Sequence, residues 1–204
     1  MNGFPKTLEE HFRHFLSCPD LILRMRSDWG AKQPNFREKL RHGIWQELAG
    51  GQQRQDSVRD RRNLLDLEEL PSLEGHFISI SHCQDFGGFV ATTKGPVGFD
   101  IEIVKRVTTA AMERMATREE VQQAPSVASL WVAKEAAFKA LRWGGSQPST
   151  ISQIETTGWR KHPSLYESFT IKNPERFASP SGDFSKGLGV VIAHEIYLFC
   201  IYLG

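Results

Sequence analysis

The chain has 204 residues, 40% of them hydrophobic with 13 Phe and 5 Trp, which is enough to bury a core of its own. Its 25 Lys and Arg nearly balance its 24 Asp and Glu, and the formal charge of +1 creates no overall field for nucleic acid or an anionic membrane. Cys18, Cys83 and Cys200 are far apart and lack metal-ligand spacing, which predicts free thiols in a reducing cytoplasm. No signal peptide core or membrane span is evident, so we expect a cytoplasmic protein.

The N-terminal part is predicted to be helical near residues 7–17 and 34–49, and the second helix is closed by Gly50 and Gly51. Between residues 24 and 62 there are ten Lys and Arg against five acids, a local excess of +5. Such an excess has two interpretations, a solvated face or a surface for a phosphate-rich ligand or an acidic partner.

Three strand patterns follow, "HFISISH", "GFVATT" and "VGFDIEIV", and the short turns between them predict an antiparallel meander. Helical patterns return at about 108–122 and 126–142, with Ser126 as the N-cap of the second. Further strands are predicted near 150–156, 165–172 and 187–202, with a loop at 173–187. This order of helices, strands, helices and strands indicates an α+β protein with two α+β halves.

Two acids stand out in "VGFDIEIV". Alternation places Asp100 and Glu102 on one face of the strand with their Cα atoms roughly 6.6 Å apart, so that their carboxylates could converge on one cation. Mg²⁺ prefers such oxygen ligands. A strand edge that faces solvent is the alternative explanation of the pair.

The helix "WVAKEAAFKAL" at 131–141 could supply a third carboxylate. Most of its circumference is apolar, Lys134 lies within the apolar arc, and Glu135 and Lys139 share a narrow polar stripe. The stripe could form an ordinary surface ion pair, but a mostly buried helix favours a groove that contains Glu135. His82, at the end of a predicted strand, could donate to a phosphate or be structural. The common hydrolase, NTPase and zinc motifs are absent from the sequence.

Three segments together carry a family resemblance: "SISH" at 79–82, "VGFDIE" at 97–102 and "WVAKEAAFKA" at 131–140. In order and spacing they resemble the 4'-phosphopantetheinyl transferase superfamily over roughly residues 77–142. The matching positions are Gly98, Asp100, Glu102, Trp131, Lys134, Glu135, Ala136 and Lys139.

The length of the chain resembles the long type of this superfamily, which activates peptide and polyketide synthetases such as surfactin synthetase. That resemblance implies two similar α+β halves packed as a pseudo-dimer, with mostly antiparallel sheets and packed helices. Residues 1–96 would form the N-terminal half, and residues 97–204 the C-terminal half that carries the metal site. A monomer is implied.

The resemblance also implies an activity, the transfer of phosphopantetheine from coenzyme A to a serine of an apo acyl or peptidyl carrier protein. Mg²⁺, or Mn²⁺ in its place, would be held by Asp100, Glu102 and Glu135. Glu135 would be the general base, and Lys139 would steady the pyrophosphate.

For coenzyme A itself, the resemblance implies contacts from Ser81 and His82 at the 3'-phosphoadenosine end, and Lys134 would either assist Lys139 or be structural. The segment "EELPSLEGHF" lacks the lysine that long-type members carry before this motif, and Cys83 replaces a common serine. The missing cations could come from the arginine-rich region, with these candidates: Arg24, Lys32, Arg37 and Arg41.

Glu119 and Glu120 resemble an acidic pair that follows the metal strand in relatives. Two alternatives to the transferase stay open, a coenzyme A-binding regulator or degenerate homologue without transferase activity, and a Mg²⁺-dependent hydrolase of phosphoesters or pyrophosphates.

Overall fold

The computed structural model describes residues 6–48, 75–142, 147–163, 166–177 and 186–204. The first helices and strands in chain order are α1 (Lys6–Phe15), β1 (Ile22–Arg26), α2 (Phe36–Leu48), β2 (Phe77–His82), β3 (Gly87–Thr92) and β4 (Val97–Ile103). They are followed by α3 (Thr109–Met112), α4 (Arg118–Gln123), α5 (Val127–Leu141), β5 (Thr156–His162), β6 (Tyr166–Ile171), β7 (Leu188–His194) and β8 (Tyr197–Leu203).

The strands form two antiparallel sheets, which confirms the α+β class. One sheet has three strands in the order β1-β3-β2, and the other has five in the order β4-β8-β7-β6-β5. The predicted meander is wrong at its third strand. Although β2 and β3 form a hairpin, β4 pairs with β8 at the end of the chain, from Val97 opposite Leu203 to Ile103 opposite Tyr197. A short turn shows that β3 and β4 could pair. It does not show that β8, about a hundred residues further along the chain, pairs with β4 instead.

Other boundaries differ in smaller ways. Strand β1 (Ile22–Arg26) was not predicted, although apolar Leu23 and Met25 alternate with Arg24 and Arg26 along its five residues. The strand predicted near 150–156 is displaced, since Ile151–Gln153 is a short 3-10 helix and β5 begins at Thr156. Three predicted features lie wholly or mostly outside the described residues: most of the loop at 173–187, the helix stop at Gly50 and Gly51, and the last arginines of the arginine-rich region, Arg54, Arg59, Arg61 and Arg62.

Both sheets contribute to one shared core. Alternate residues of β4, Val97, Phe99 and Ile101, point into it together with Phe12 of α1 and Val90 of β3. The outer face of the three-stranded sheet packs on α2, and the outer face of the five-stranded sheet packs on α5. The chain leaves the first sheet at Thr92 and enters the second at Val97, so the two halves are joined by a common core; their division at residues 96 and 97 stays a prediction.

The three cysteines, Cys18, Cys83 and Cys200, are free, as predicted, and the structure buries all three. Among the helices in the described parts of the chain, none has the length and apolar character needed to cross a membrane.

Asp20 ties the start of β1 to the end of β3. Its carboxylate accepts hydrogen bonds from the Thr93 backbone N–H at 2.8 Å, from the Thr93 hydroxyl at 2.7 Å and from the Thr92 hydroxyl at 3.0 Å. Burial alone would raise the pKa of Asp20, but these hydrogen bonds outweigh it and hold the pKa well below its ordinary range. The ionised carboxylate therefore stabilises the folded chain.

Asp20→Asn is expected to lower the free energy of unfolding at neutral pH by about 1 kcal/mol, a figure reduced for the exposure of this site. Because the native pKa of Asp20 is depressed, its contribution is complete above the unfolded pKa of about 4 and is lost as the pH falls below that value. Urea denaturation of both proteins over a descending pH series measures the difference. A gap that stays constant down to acid pH would contradict the role of the charge.

Candidate active site

The site lies where β2 of the first sheet runs beside β4 of the second. β4 is an edge strand, and two of its backbone N–H groups are bonded by serine hydroxyls of β2 in place of a neighbouring strand. The Ser79 hydroxyl accepts from Phe99 N–H at 2.9 Å, and the Ser81 hydroxyl accepts from Ile101 N–H at 3.1 Å. We call this junction the seam, defined by β2 residues 79–82 and β4 residues 99–102. It brings side chains from both sheets together.

Helix α5 lies directly on β4 at Gly98. A Cβ atom at this position would lie 1.7 Å from the carbonyl oxygen of Ala136 and 2.7 Å from the backbone nitrogen of Ala140. Both distances are far below any tolerated contact, so only glycine permits this approach. The close packing sets Asp100, two residues further along β4, against the face of α5 that carries Glu135 and Lys139.

Asp100 is 6% exposed and is held by two donors on the same oxygen. Its Oδ1 accepts from Lys139 Nζ at 2.7 Å and from the Ser81 hydroxyl at 2.9 Å. Lys139 Nζ also donates to the Phe99 carbonyl at 2.9 Å. The ammonium group of Lys139 is therefore bound to β4, so the surface ion-pair interpretation of Glu135 and Lys139 does not describe this helix.

Glu135 faces the strand acids. Burial raises its pKa, the positive charge of Lys139 opposes that rise, and the negative charges of Asp100 and Glu102 add to it. The charges of both strand acids therefore act on the Glu135 carboxylate. Glu102 is half-buried, accepts from the Ile103 N–H at 2.7 Å and has Arg106 at 3.7 Å. The strand pair and the helix acid lie on the same side of the molecule.

Carboxylate oxygens are the donors that a hard divalent cation accepts, and mutual repulsion among Asp100, Glu102 and Glu135 is what such a cation would relieve. The chemistry of the donor set fits the predicted ion. Within the described ranges, however, no three Asp, Glu, His or Cys side chains are gathered as a ready ligand set. The predicted metal site therefore stays a prediction.

His82 and Arg37 give this region its other polar groups. The His82 ring packs edge-on against Phe36 at a centroid distance of 4.7 Å, and Arg37 lies over the same phenyl ring at 5.6 Å. Burial lowers the pKa of His82, and the positive charges of Lys139 and Arg37 lower it further. A neutral His82 beside two cations can donate a hydrogen bond to an anion.

The other predicted cations are engaged elsewhere. Arg24 on β1 pairs with Glu9 and, at 3.1 Å, with Glu47 of α2. Lys32 pairs with Asp85 at 2.7 Å, and Asp85 also accepts from the Tyr197 hydroxyl at 2.9 Å. Arg41 is half-buried on α2. Of the four candidates from the arginine-rich region, Arg37 is the one whose charge reaches His82 at the seam.

Lys134 does not face the seam. It is fully buried and pairs with Glu120 of α4 at 2.8 Å, and it also donates to the Ile154 carbonyl. Burial lowers the pKa of Lys134, and the Glu120 carboxylate opposes that shift. This placement supports the structural alternative for Lys134 and gives its ammonium no access to a phosphate.

The two residues of the acidic pair, Glu119 and Glu120, lie in different environments. Glu120 is 3% exposed, accepts from Thr156 N–H at 2.9 Å and completes a capping box with Thr117. Glu119 is exposed and accepts from Gln123 at 2.9 Å. Glu120 thus fastens α4 and the start of β5 to α5. The sequence did not predict that Glu120 is buried. It did contain a signal, because Lys134 lies inside the apolar arc of α5 and a buried lysine needs an acidic partner.

Residues 96–184 match the family model of the 4'-phosphopantetheinyl transferase superfamily. The matched part of the chain contains β4, α5, β5 and β6, and it includes Asp100, Glu102, Glu135 and Lys139. No curated protein matches the chain at a significant level. The long type within the superfamily stays a prediction.

Lys134→Met is expected to lower the free energy of unfolding by about 3–5 kcal/mol, because it leaves the Glu120 carboxylate buried and unpaired. Urea denaturation measures the loss. The control is Lys172→Met, which breaks an exposed pair with Glu155 at 3.0 Å and should change the free energy of unfolding far less, because solvent screens the pair. Equal small losses in both variants would contradict the structural role of Lys134.

Proposed function

We propose that the chain is a Mg²⁺-dependent 4'-phosphopantetheinyl transferase that moves phosphopantetheine from coenzyme A to a serine of an apo acyl or peptidyl carrier protein. The observation that carries the proposal is the bond from Lys139 Nζ to Asp100 Oδ1 at 2.7 Å, which sets the helix face of Glu135 and Lys139 against the acids of β4. The superfamily match of residues 96–184 supports the class of reaction.

Asp100, Glu102 and Glu135 would hold the Mg²⁺ ion, and Mn²⁺ could replace it because it accepts the same carboxylate donors. When bound, the ion would neutralise negative charge on the pyrophosphate of coenzyme A.

Glu135 is the proposed general base. Its carboxylate takes the proton of the carrier serine hydroxyl as the serine oxygen forms a bond to the β-phosphorus of coenzyme A. The bond from that phosphorus to the bridging pyrophosphate oxygen breaks, and its electron pair leaves with adenosine 3',5'-bisphosphate. Burial and the neighbouring acids raise the pKa of Glu135, which makes it a stronger base than an exposed glutamate.

The cationic groups of the seam suit the rest of the substrate. Lys139 is positioned to contact the pyrophosphate, since its ammonium group lies beside Asp100 and is partly exposed. His82 and Arg37 come from the opposite half and together offer a neutral donor and a fixed charge to a phosphate of the nucleotide end.

A coenzyme A-binding protein without transferase activity is the second candidate, because the segment before the seam lacks the lysine of long-type members. The replacement of serine by Cys83 carries less weight. Cys83 is 3% exposed and belongs to the shared core, so a side chain at this position has little access to solvent.

The direct test incubates the purified chain with coenzyme A, Mg²⁺ and a panel of apo carrier proteins, and follows phosphopantetheine addition by intact mass. Addition to at least one carrier is expected. Tight coenzyme A binding in calorimetry with no addition to any carrier would favour the regulator, and release of free phosphopantetheine to water regardless of carrier would identify a hydrolase.

Glu135→Gln and Asp100→Asn are each expected to lower the rate of carrier modification by about 10²–10⁴-fold, because they remove the base or a cation ligand. The measurement is the initial rate of mass conversion at saturating coenzyme A. Glu135→Gln should not melt far below the unchanged chain, since it removes a charge that Asp100 and Glu102 disfavour.

The matched control is Glu155→Gln, which removes an acid of the same half that pairs with Lys172 at the surface. It should leave the rate within about twofold, as expected for an exposed pair. Unfolding of Glu135→Gln, or a rate as high as that of the control, would contradict the proposed site.

A further inference from the structure

Ser81 has its hydrogen-bonding groups committed within the protein. The residue is 5% exposed, its hydroxyl oxygen accepts from Ile101 N–H at 3.1 Å, and its proton is donated to Asp100 Oδ1 at 2.9 Å. A serine hydroxyl has a single proton. Since phosphate oxygens at neutral pH act chiefly as acceptors, Ser81 cannot donate to a phosphate while it donates to Asp100.

Ser81 and Lys139 bond to the same oxygen of Asp100 from two directions. Ser81 comes from β2 and Lys139 from α5, so the carboxylate is fixed by an element of each half. Two donors at one oxygen restrict rotation of the carboxylate and settle which way its second oxygen points.

Ser79 provides an internal comparison. It is on the same strand, is also 5% exposed, and accepts from Phe99 N–H at 2.9 Å, the same kind of contact that Ser81 makes with Ile101. The hydroxyls of Ser79 and Ser81 both accept from a backbone N–H of β4, and Ser81 in addition donates to Asp100. Any effect of Ser81 beyond that of Ser79 therefore reports on Asp100.

We propose that Ser81 is a positioning residue, whose hydroxyl orients the Asp100 carboxylate across the seam and does not donate to a phosphate of coenzyme A. The expected effect of Ser81 on turnover rests on the proposed function. The structural part of the inference, the coupling of Ser81 to Asp100, stands without it.

The first experiment compares Ser81→Ala with Ser79→Ala. In the presence of a chelator, the Kd of coenzyme A measured by calorimetry should change by less than about twofold in Ser81→Ala, because no ligand contact is lost. Carrier modification by Ser81→Ala should have a kcat lower by about 10–100-fold, or a half-saturating Mg²⁺ concentration raised by a similar factor. Ser79→Ala should show neither effect.

Two results of this experiment would overturn the proposal. One is a Kd for coenzyme A that rises tenfold or more in Ser81→Ala, which would show a direct ligand contact. The other is equal kcat and Mg²⁺ requirement in the two serine variants. If Ser81→Ala does not fold, Ser81→Cys, which keeps the volume and donates weakly, is measured in its place.

The second experiment is a double-mutant cycle in urea denaturation and needs no activity. Ser81→Ala should shift the unfolding midpoint by a different amount when Asp100 is Ala, whereas the shift from Ser79→Ala should be the same in both backgrounds. Additive shifts of the unfolding midpoint for Ser81→Ala and Asp100→Ala would contradict the proposal. Absence of transfer by the unchanged chain would instead count against the proposed function, and the cycle would still decide the role of Ser81.

Discussion

The arrangement of the site depends on one steric contact, the approach of helix α5 to strand β4 at Gly98. Where any other residue would place a Cβ atom, the Ala136 carbonyl oxygen lies 1.7 Å away. The backbones of strand and helix can approach this closely only because that atom is missing. Asp100 follows two residues later on the same strand face, and Glu135 and Lys139 flank the contact on the helix, so the approach sets all three side chains against one another.

The contact also explains how a charged group is retained in an almost dry position. Asp100 is nearly buried, and a buried carboxylate without partners would be costly. Lys139 and Ser81 meet that cost, one from the helix of the second half and one from the strand of the first. The groups that stabilise the Asp100 carboxylate therefore come from a strand of the three-stranded sheet and from the helix that packs on the five-stranded sheet.

Neighbouring residues of the helix have opposite roles for a geometric reason. Lys134 and Glu135 are separated by about 100° around the axis, so when Glu135 faces the seam Lys134 faces the interior. There it pairs with Glu120, which in turn holds α4 and the start of β5. Glu135 and Lys139, one turn apart, remain on the same face. One side of α5 therefore holds neighbouring elements through Lys134, and the other side carries Glu135 and Lys139 towards the acids of β4.

Local sequence pattern determined the main helices, the β2–β3 hairpin, the free cysteines, the common face of Asp100 and Glu102, and the burial of most of α5, because these follow from periodicity and neighbour chemistry. It also left Lys134 without a visible partner. Tertiary structure alone decided that β4 pairs with β8, that Ser79 and Ser81 bond to the edge of β4, and that Glu120 meets Lys134. These contacts join residues 14 to more than 100 positions apart, and they depend on which surfaces pack together once the whole chain is folded.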